Sequence, residues 1–168
     1  MPTNAITPLN TVNTPGEKNF TIFGEGWELR DAIIKESTAY AAGQAMRAEI
    51  SGSTTTGKLV SASTNSGVNS VGANFYGIMA EPVRSTDSDY ATAGKTKKVW
   101  VPVQNNAECR FTVGAGTFTT ADINKTAAIH SDGISVAVDT NGLGCKIVGY
   151  ISSTRGVCTF DIPATLTA

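Results

Sequence analysis

Ile147-Val148-Gly149-Tyr150-Ile151-Ser152, followed by Gly156-Val157-Cys158-Thr159-Phe160-Asp161-Ile162, decides the fold. Both runs are rich in β-branched and aromatic residues, and a glycine-containing turn separates them, which predicts neighbouring strands. The same pair stands earlier in the chain as Phe75-Tyr76-Gly77-Ile78-Met79-Ala80 and Lys98-Val99-Trp100-Val101-Pro102-Val103. Working outward, Gly57 to Ala62 echoes Gly133 to Val138, and Tyr40 to Met46 echoes Phe118 to Asn124. A pattern written twice is a statement about architecture, because each unit must bury one apolar face against its twin.

Composition agrees with that reading. The chain has 168 residues, only 16% of them charged, and threonine is the commonest residue. Such a composition disfavours helices and suits strands with polar turns. The expected fold is all-β: a small β-barrel or sandwich of two similar half-repeats, about 36–104 and 105–163, forming one compact domain over 20–168. Strands are expected at Phe20 to Phe23, Trp27 to Lys35, Lys58 to Ala62, Tyr76 to Ala80 and Lys98 to Val103 in the first part. In the second they are expected at Glu108 to Val113, Ile134 to Val138, Lys146 to Ser152 and Val157 to Ile162. Thr120 to Lys125 fits one short helical turn capped by Thr119 or Thr120. Asn141-Gly142 and Arg155-Gly156 read as tight turns, Asn65 to Gly72 as a loop, and Arg84 to Lys97 as an exposed excursion.

Residues 1–19 form a separate N-terminal arm. Pro2, Pro8 and Pro15 forbid helix there, and no side chain is charged before Glu17. Too poor in apolar mass to fold by itself, the segment is either a disordered tail or an arm laid on a partner, and Ile6, Leu9 and Val12 favour the arm, as an added strand.

Net charge is −1, which leaves no electrostatic footprint for nucleic acid or an anionic membrane. No apolar run approaches the roughly 20 residues that span a bilayer, and the N-terminus shows no basic run followed by an apolar core. Cys109, Cys145 and Cys158 lack any C-x-x-C pairing. Cys109 keeps phase with Phe111, and Cys158 with Phe160, so both are expected inside, either as reduced thiols or as one disulfide beside a free thiol.

Chemistry is sparse. His130 is the only histidine, which removes a multi-histidine metal site, and it reads as a loop residue before the Asp132-Gly133 turn. Gly114-Ala115-Gly116 and Gly24-Glu25-Gly26 do not continue into a phosphate loop. Asp87-Ser88-Asp89 lacks the glycine and later glutamate of a calcium loop. Lys95, Lys97 and Lys98 read as a charged hairpin end. No cofactor, metal, nucleic acid, membrane or small-molecule substrate is expected, and no enzymatic activity. Trp100 and Pro102 fall on the face opposite Val99, Val101 and Val103, which predicts either an edge strand that meets another subunit, with Trp27 as a further interface residue, or a strand covered on both faces within one chain.

The uncharged Thr/Pro-rich arm, Gly57-Lys58-Leu59-Val60, Tyr76-Gly77-Ile78-Met79-Ala80 and Lys98-Val99-Trp100-Val101 together resemble the head decoration (cement) proteins of tailed bacteriophages, including the lambda type. The second half, through Asp132-Gly133, Ile147-Val148-Gly149-Tyr150 and Gly156-Val157-Cys158, is similar to the small barrel of related capsid-cement proteins. The resemblance implies a homotrimer on the capsid exterior, made in the host cytoplasm, that stabilises the major capsid protein lattice. It places capsid binding in the arm, at Ile6, Pro8, Leu9, Val12, Pro15 and Phe20. Two other readings stand beside it. One is a receptor- or glycan-binding module of a fibre or adhesin, stacking sugars on Trp27, Tyr90 or Trp100. The other is a small hydrolase pairing Cys158 or Cys109 with His130.

Overall fold

A computed structural model of the chain describes residues 19–62, 75–140 and 144–163. Among these residues, apart from one 3-10 turn at Thr120–Asp122, the regular structure is β: β1 (Thr21–Ile22), β2 (Trp27–Ile33), β3 (Ala45–Ser51), β4 (Thr54–Ser61), β5 (Phe75–Met79), β6 (Thr96–Pro102), β7 (Ala107–Ala115), β8 (Thr126–Ile129), β9 (Val136–Ala137), β10 (Cys145–Ser152) and β11 (Arg155–Phe160). The loop expected at Asn65 to Gly72 and the turn expected at Asn141-Gly142 lie outside the described residues, as do Ile6, Pro8, Leu9, Val12 and Pro15 of the arm.

The two halves of the chain build two sheets with the same plan. The first sheet runs β2-β6-β5-β3-β4, and its ends meet through a parallel bridge between Ile34 and Leu59. The second runs β7-β11-β10-β8-β9 and closes through parallel pairing of β9 with β7 at Val113↔Val136. Each circuit therefore visits its own strands in the order first, fifth, fourth, second, third. In each, every pairing is antiparallel except the third strand against the first. The echo in the sequence is a duplicated topology, and the strands it matched (β4 with β9, β5 with β10, β6 with β11) occupy equivalent places. The first unit starts at Trp27, earlier than the half-repeat boundary near residue 36, because β2 is its opening strand.

Glycines let these strands come close. A Cβ on Gly77 would stand 2.3 Å from the Trp100 carbonyl oxygen, so β5 can lie against β6 only with no side chain there. Gly156 is not in the tight turn expected at Arg155-Gly156, and its φ is not positive. It lies within β11, where a Cβ would meet the Phe111 ring at 2.5 Å, and the hairpin turn falls at Ser153 and Thr154. Two strands escaped the sequence reading, β3 and β8, and β9 is shorter than the expected Ile134 to Val138 run.

Two apolar clusters fill the molecule. One lies inside the first unit, around Ile34, Met46, Leu59, Met79, Val99 and Val101. The other fills the second barrel with Phe111, Phe118, Ile129, Ile147 and Cys158, and continues into the seam through Phe20, Ala45, Phe75 and Ile78. At that seam Phe160 stacks on Phe75 with centroids 4.2 Å apart and meets Phe20 and Trp27 edge-on. Burying each such ring contributes about 1.5–3 kcal/mol, so the contact between the units is a core in its own right.

Candidate functional site

The arm's root is built into this seam. Asn19 reaches the Ala42 carbonyl through its side-chain amide, the Phe20 amide donates to Gly43 of the first unit at 2.9 Å, and Thr21 and Ile22 pair with Arg110 and Cys109 of the second. Phe20, expected among the capsid-binding arm residues, is instead a core residue with 1% exposure. Its ring is large and apolar and the seam offers a closed pocket, so burial outweighs any role in an exposed arm. The chain N-terminal to Asn19 therefore starts from a fixed point where both units meet.

The face expected at Trp100 and Pro102 is covered within the chain. β6 is an interior strand, paired with β2 along its whole length and with β5 at Trp100 and Val99. Pro102 is buried, and Trp100 is half-buried against the seam cluster. The alternation argument fails because a sheet packed on both faces gives both phases of a strand an interior side. Trp27 donates its indole N–H to the Glu108 carbonyl at 2.9 Å and packs on Phe160, tying β2 to the second unit. Tyr90 is engaged too: the Lys95 ammonium sits 5.1 Å from its ring centre and donates to its carbonyl at 2.8 Å.

That contact changes the reading of the excursion between β5 and β6. Its surface is mostly exposed, but Lys95 is only 6% exposed. Two of the lysines expected to form a charged end are paired within the chain, Lys97 with Asp89 at 3.0 Å and, on the surface, Lys98 with Asp31 at 2.9 Å. Hydrogen bonding from Lys97 holds the Asp89 carboxyl below the usual carboxylate range. Asp87 caps the loop by accepting the Arg84 amide at 2.8 Å.

His130, Asp132 and Ser135 do come together, but in an order unsuited to nucleophilic catalysis. The Ser135 hydroxyl donates to both Asp132 carboxylate oxygens, at 2.9 Å to Oδ1 and 2.7 Å to Oδ2, and His130 Nδ1 lies 3.2 Å from the same Oδ2. The carboxylate sits between serine and histidine, where a triad needs the imidazole between them. Ser135 is completely buried, under Gly114, where a Cβ would stand 2.1 Å from its Oγ. Burial opposes ionisation of Asp132, yet the Ser135 hydroxyl, the Ile134 amide and His130 outweigh it and hold the carboxyl below its ordinary range. The group is a partly buried turn lock, closed at Ser135 and open at His130 and Asp132. Sequence spacing gave Asp132 and His130 as a loop, and the serine three residues on is what makes it a lock.

All three cysteines are free and buried, with Cys109 directly opposite Cys158 in the β7–β11 register. Hydrogen bonding to Cys158, then burial, pushes the Cys145 thiol well up. Burial, then Cys109, does the same to Cys158. Such thiols are poor nucleophiles. Among the described residues no three His, Cys, Asp or Glu side chains are arranged to hold a metal ion, and no helix is long and apolar enough to cross a membrane.

A node that the sequence reading missed joins the units at the polar end of the seam. Gln44 accepts the Ala41 amide and donates to Ser61 Oγ, each at 2.8 Å, and the Ala45 amide donates to the Gly133 carbonyl at 2.9 Å. Gly133 has φ +72°, and a Cβ there would come within 2.3 Å of Ser61 Oγ, so the glycine is required both by the turn and by the approach. Comparison with protein-family models, curated proteins and solved structures found no match to this chain.

Proposed function

We propose that this protein is a structural virion component, a decoration or cement protein that binds the outer surface of a tailed-phage capsid and stabilises the major capsid protein lattice. It acts by binding and not by catalysis, as a homotrimer, with the chain before Asn19 as the capsid-binding element. The observation that carries this reading is the anchoring of the arm's root. Asn19 to Ile22 is bonded to both units at their seam, so the segment that carries strand-compatible Ile6, Leu9 and Val12 has its root at a defined place. Strand addition suits such a segment, because backbone hydrogen bonds supply affinity without a pocket. The body adds area at a joint between capsid subunits, and a modest free energy per copy multiplies over the shell.

The test is cosedimentation with mature, undecorated shells. Removing residues 2–18 is expected to abolish binding while leaving the far-UV circular dichroism and melting temperature unchanged. Undiminished binding by the shortened, folded protein would overturn the proposal.

A further inference from the structure

The duplication exposes an edge that one unit covers and the other leaves open. In the second unit β7 pairs with β9 only from Val113 onward, and β1 covers the preceding stretch at Cys109 and Arg110. In the first unit β2 meets β4 only at the Ile34–Leu59 bridge, and among the described residues no strand covers the stretch before it. The hydrogen bonds fix which groups this leaves free. Ile34 N–H and Gly26 C=O bond toward β6, whereas Lys35 N–H bonds toward β4. Since successive residues alternate in direction, Trp27, Leu29 and Asp31 turn their N–H and C=O groups to the open side.

We infer that this edge pairs with the same edge of a second copy, antiparallel about a two-fold axis at Leu29. The register follows from the strand itself. Only an axis at Leu29 sets all three open residues against open residues, Trp27 against Asp31 of the second copy and Leu29 against itself, so that each opposed pair exchanges both backbone bonds. That axis also places Glu28 opposite Arg30 of the second copy, twice over, whereas axes at Glu28, Arg30 or Asp31 set like charges face to face. Glu28 and Arg30 now pair along their own strand at 2.7 Å, about half exposed, and can re-pair across the axis at little cost. Leu29, exposed at 42%, falls on the axis, where the pairing sets it against its own copy.

An isologous contact of this kind closes on itself. It stands independently of the capsid reading. Under that reading it joins neighbouring trimers, because in a closed lattice two-fold axes relate adjacent three-fold sites.

The experiment mixes two full-length variants, Glu28→Cys and Arg30→Cys, under mild oxidation and reads intermolecular disulfides on a non-reducing gel. The three native thiols are buried and do not interfere. A several-fold excess of dimer in the mixture over either variant alone is expected, since only the mixture places the introduced thiols opposite each other. Sedimentation equilibrium gives a second readout: Arg30→Glu should weaken association, and Glu28→Arg with Arg30→Glu should restore it. Equal crosslinking in mixture and single variants, or association indifferent to the charge swap, would overturn the inference. Neither result depends on capsid shells, so its failure is distinct from failure of the capsid proposal.

Discussion

Single atoms decide where strands can lie in this molecule. Gly77 is the sharpest case, because the obstacle to a side chain is the backbone oxygen of Trp100, which has no rotamer to move. Gly77→Ala is expected to lower stability by about 3 kcal/mol or more through overpacking, read as a shift in denaturant midpoint. Gly94→Ala provides the contrast. Nothing lies within 4 Å of a Cβ there, and only its φ of +75° is unfavourable, so a loss of about 1 kcal/mol is expected. Tyr40 is one source of alkaline sensitivity, beside the buried Cys145 and Cys158 thiols whose ionisation is also opposed. Burial pushes its phenol up to about 12, above the ordinary value of 10. Between those values the unfolded chain loses its proton while the folded one keeps it, so this contribution to stability is complete below pH 10 and drains away as pH rises toward 12. Tyr40→Phe should flatten that decline in melting temperature while leaving behaviour near neutral pH little changed.

Elements were legible in the sequence to the extent that they alternate. β5, β6, β10 and β11 carry aromatic and β-branched runs between polar turns, and all were read close to their bounds. β3 was not read as a strand, since Ala45-Met46-Arg47-Ala48 is compatible with a helix and buries every one of these residues. β8, Thr126–Ile129, is short and follows a helical turn whose cap was foreseen: Thr119 and Asp122 form a reciprocal capping box. Trp100 misled for a physical reason. A strand's period says which side chains share a face but not whether the other face is solvent, and here the neighbouring unit lies on it. The candidate site was legible only as an uncharged arm. That its root is fixed at the seam depends on the bond from Phe20 to Gly43 and the pairing of Thr21 with Arg110, which no local pattern encodes.

At the scale of the whole molecule, two closed circuits share one continuous core. Phe160 alone touches Phe20, Phe75 and Trp27 across the seam, and the run Asn19 to Ile22 is held by the first unit at Asn19 and Phe20 and by the second at Thr21 and Ile22. Unfolding should therefore be a single cooperative event. Circular dichroism, which follows all strands, and tryptophan fluorescence, which follows Trp27 and Trp100 in the first unit, are expected to give coincident transitions. Separate midpoints would mean that the barrels are independent.

The seam also has a consequence for synthesis. Growing from its N-terminus, the chain can complete the first circuit once Pro102 has emerged, but Phe20, Ile22, Phe75 and Ile78 then face the place where the second barrel belongs. β1 has to wait for Arg110, and the seam stays uncovered until β11 emerges. At roughly 5–20 residues per second that interval lasts several seconds, during which the nascent protein displays a greasy aromatic surface that the finished one hides.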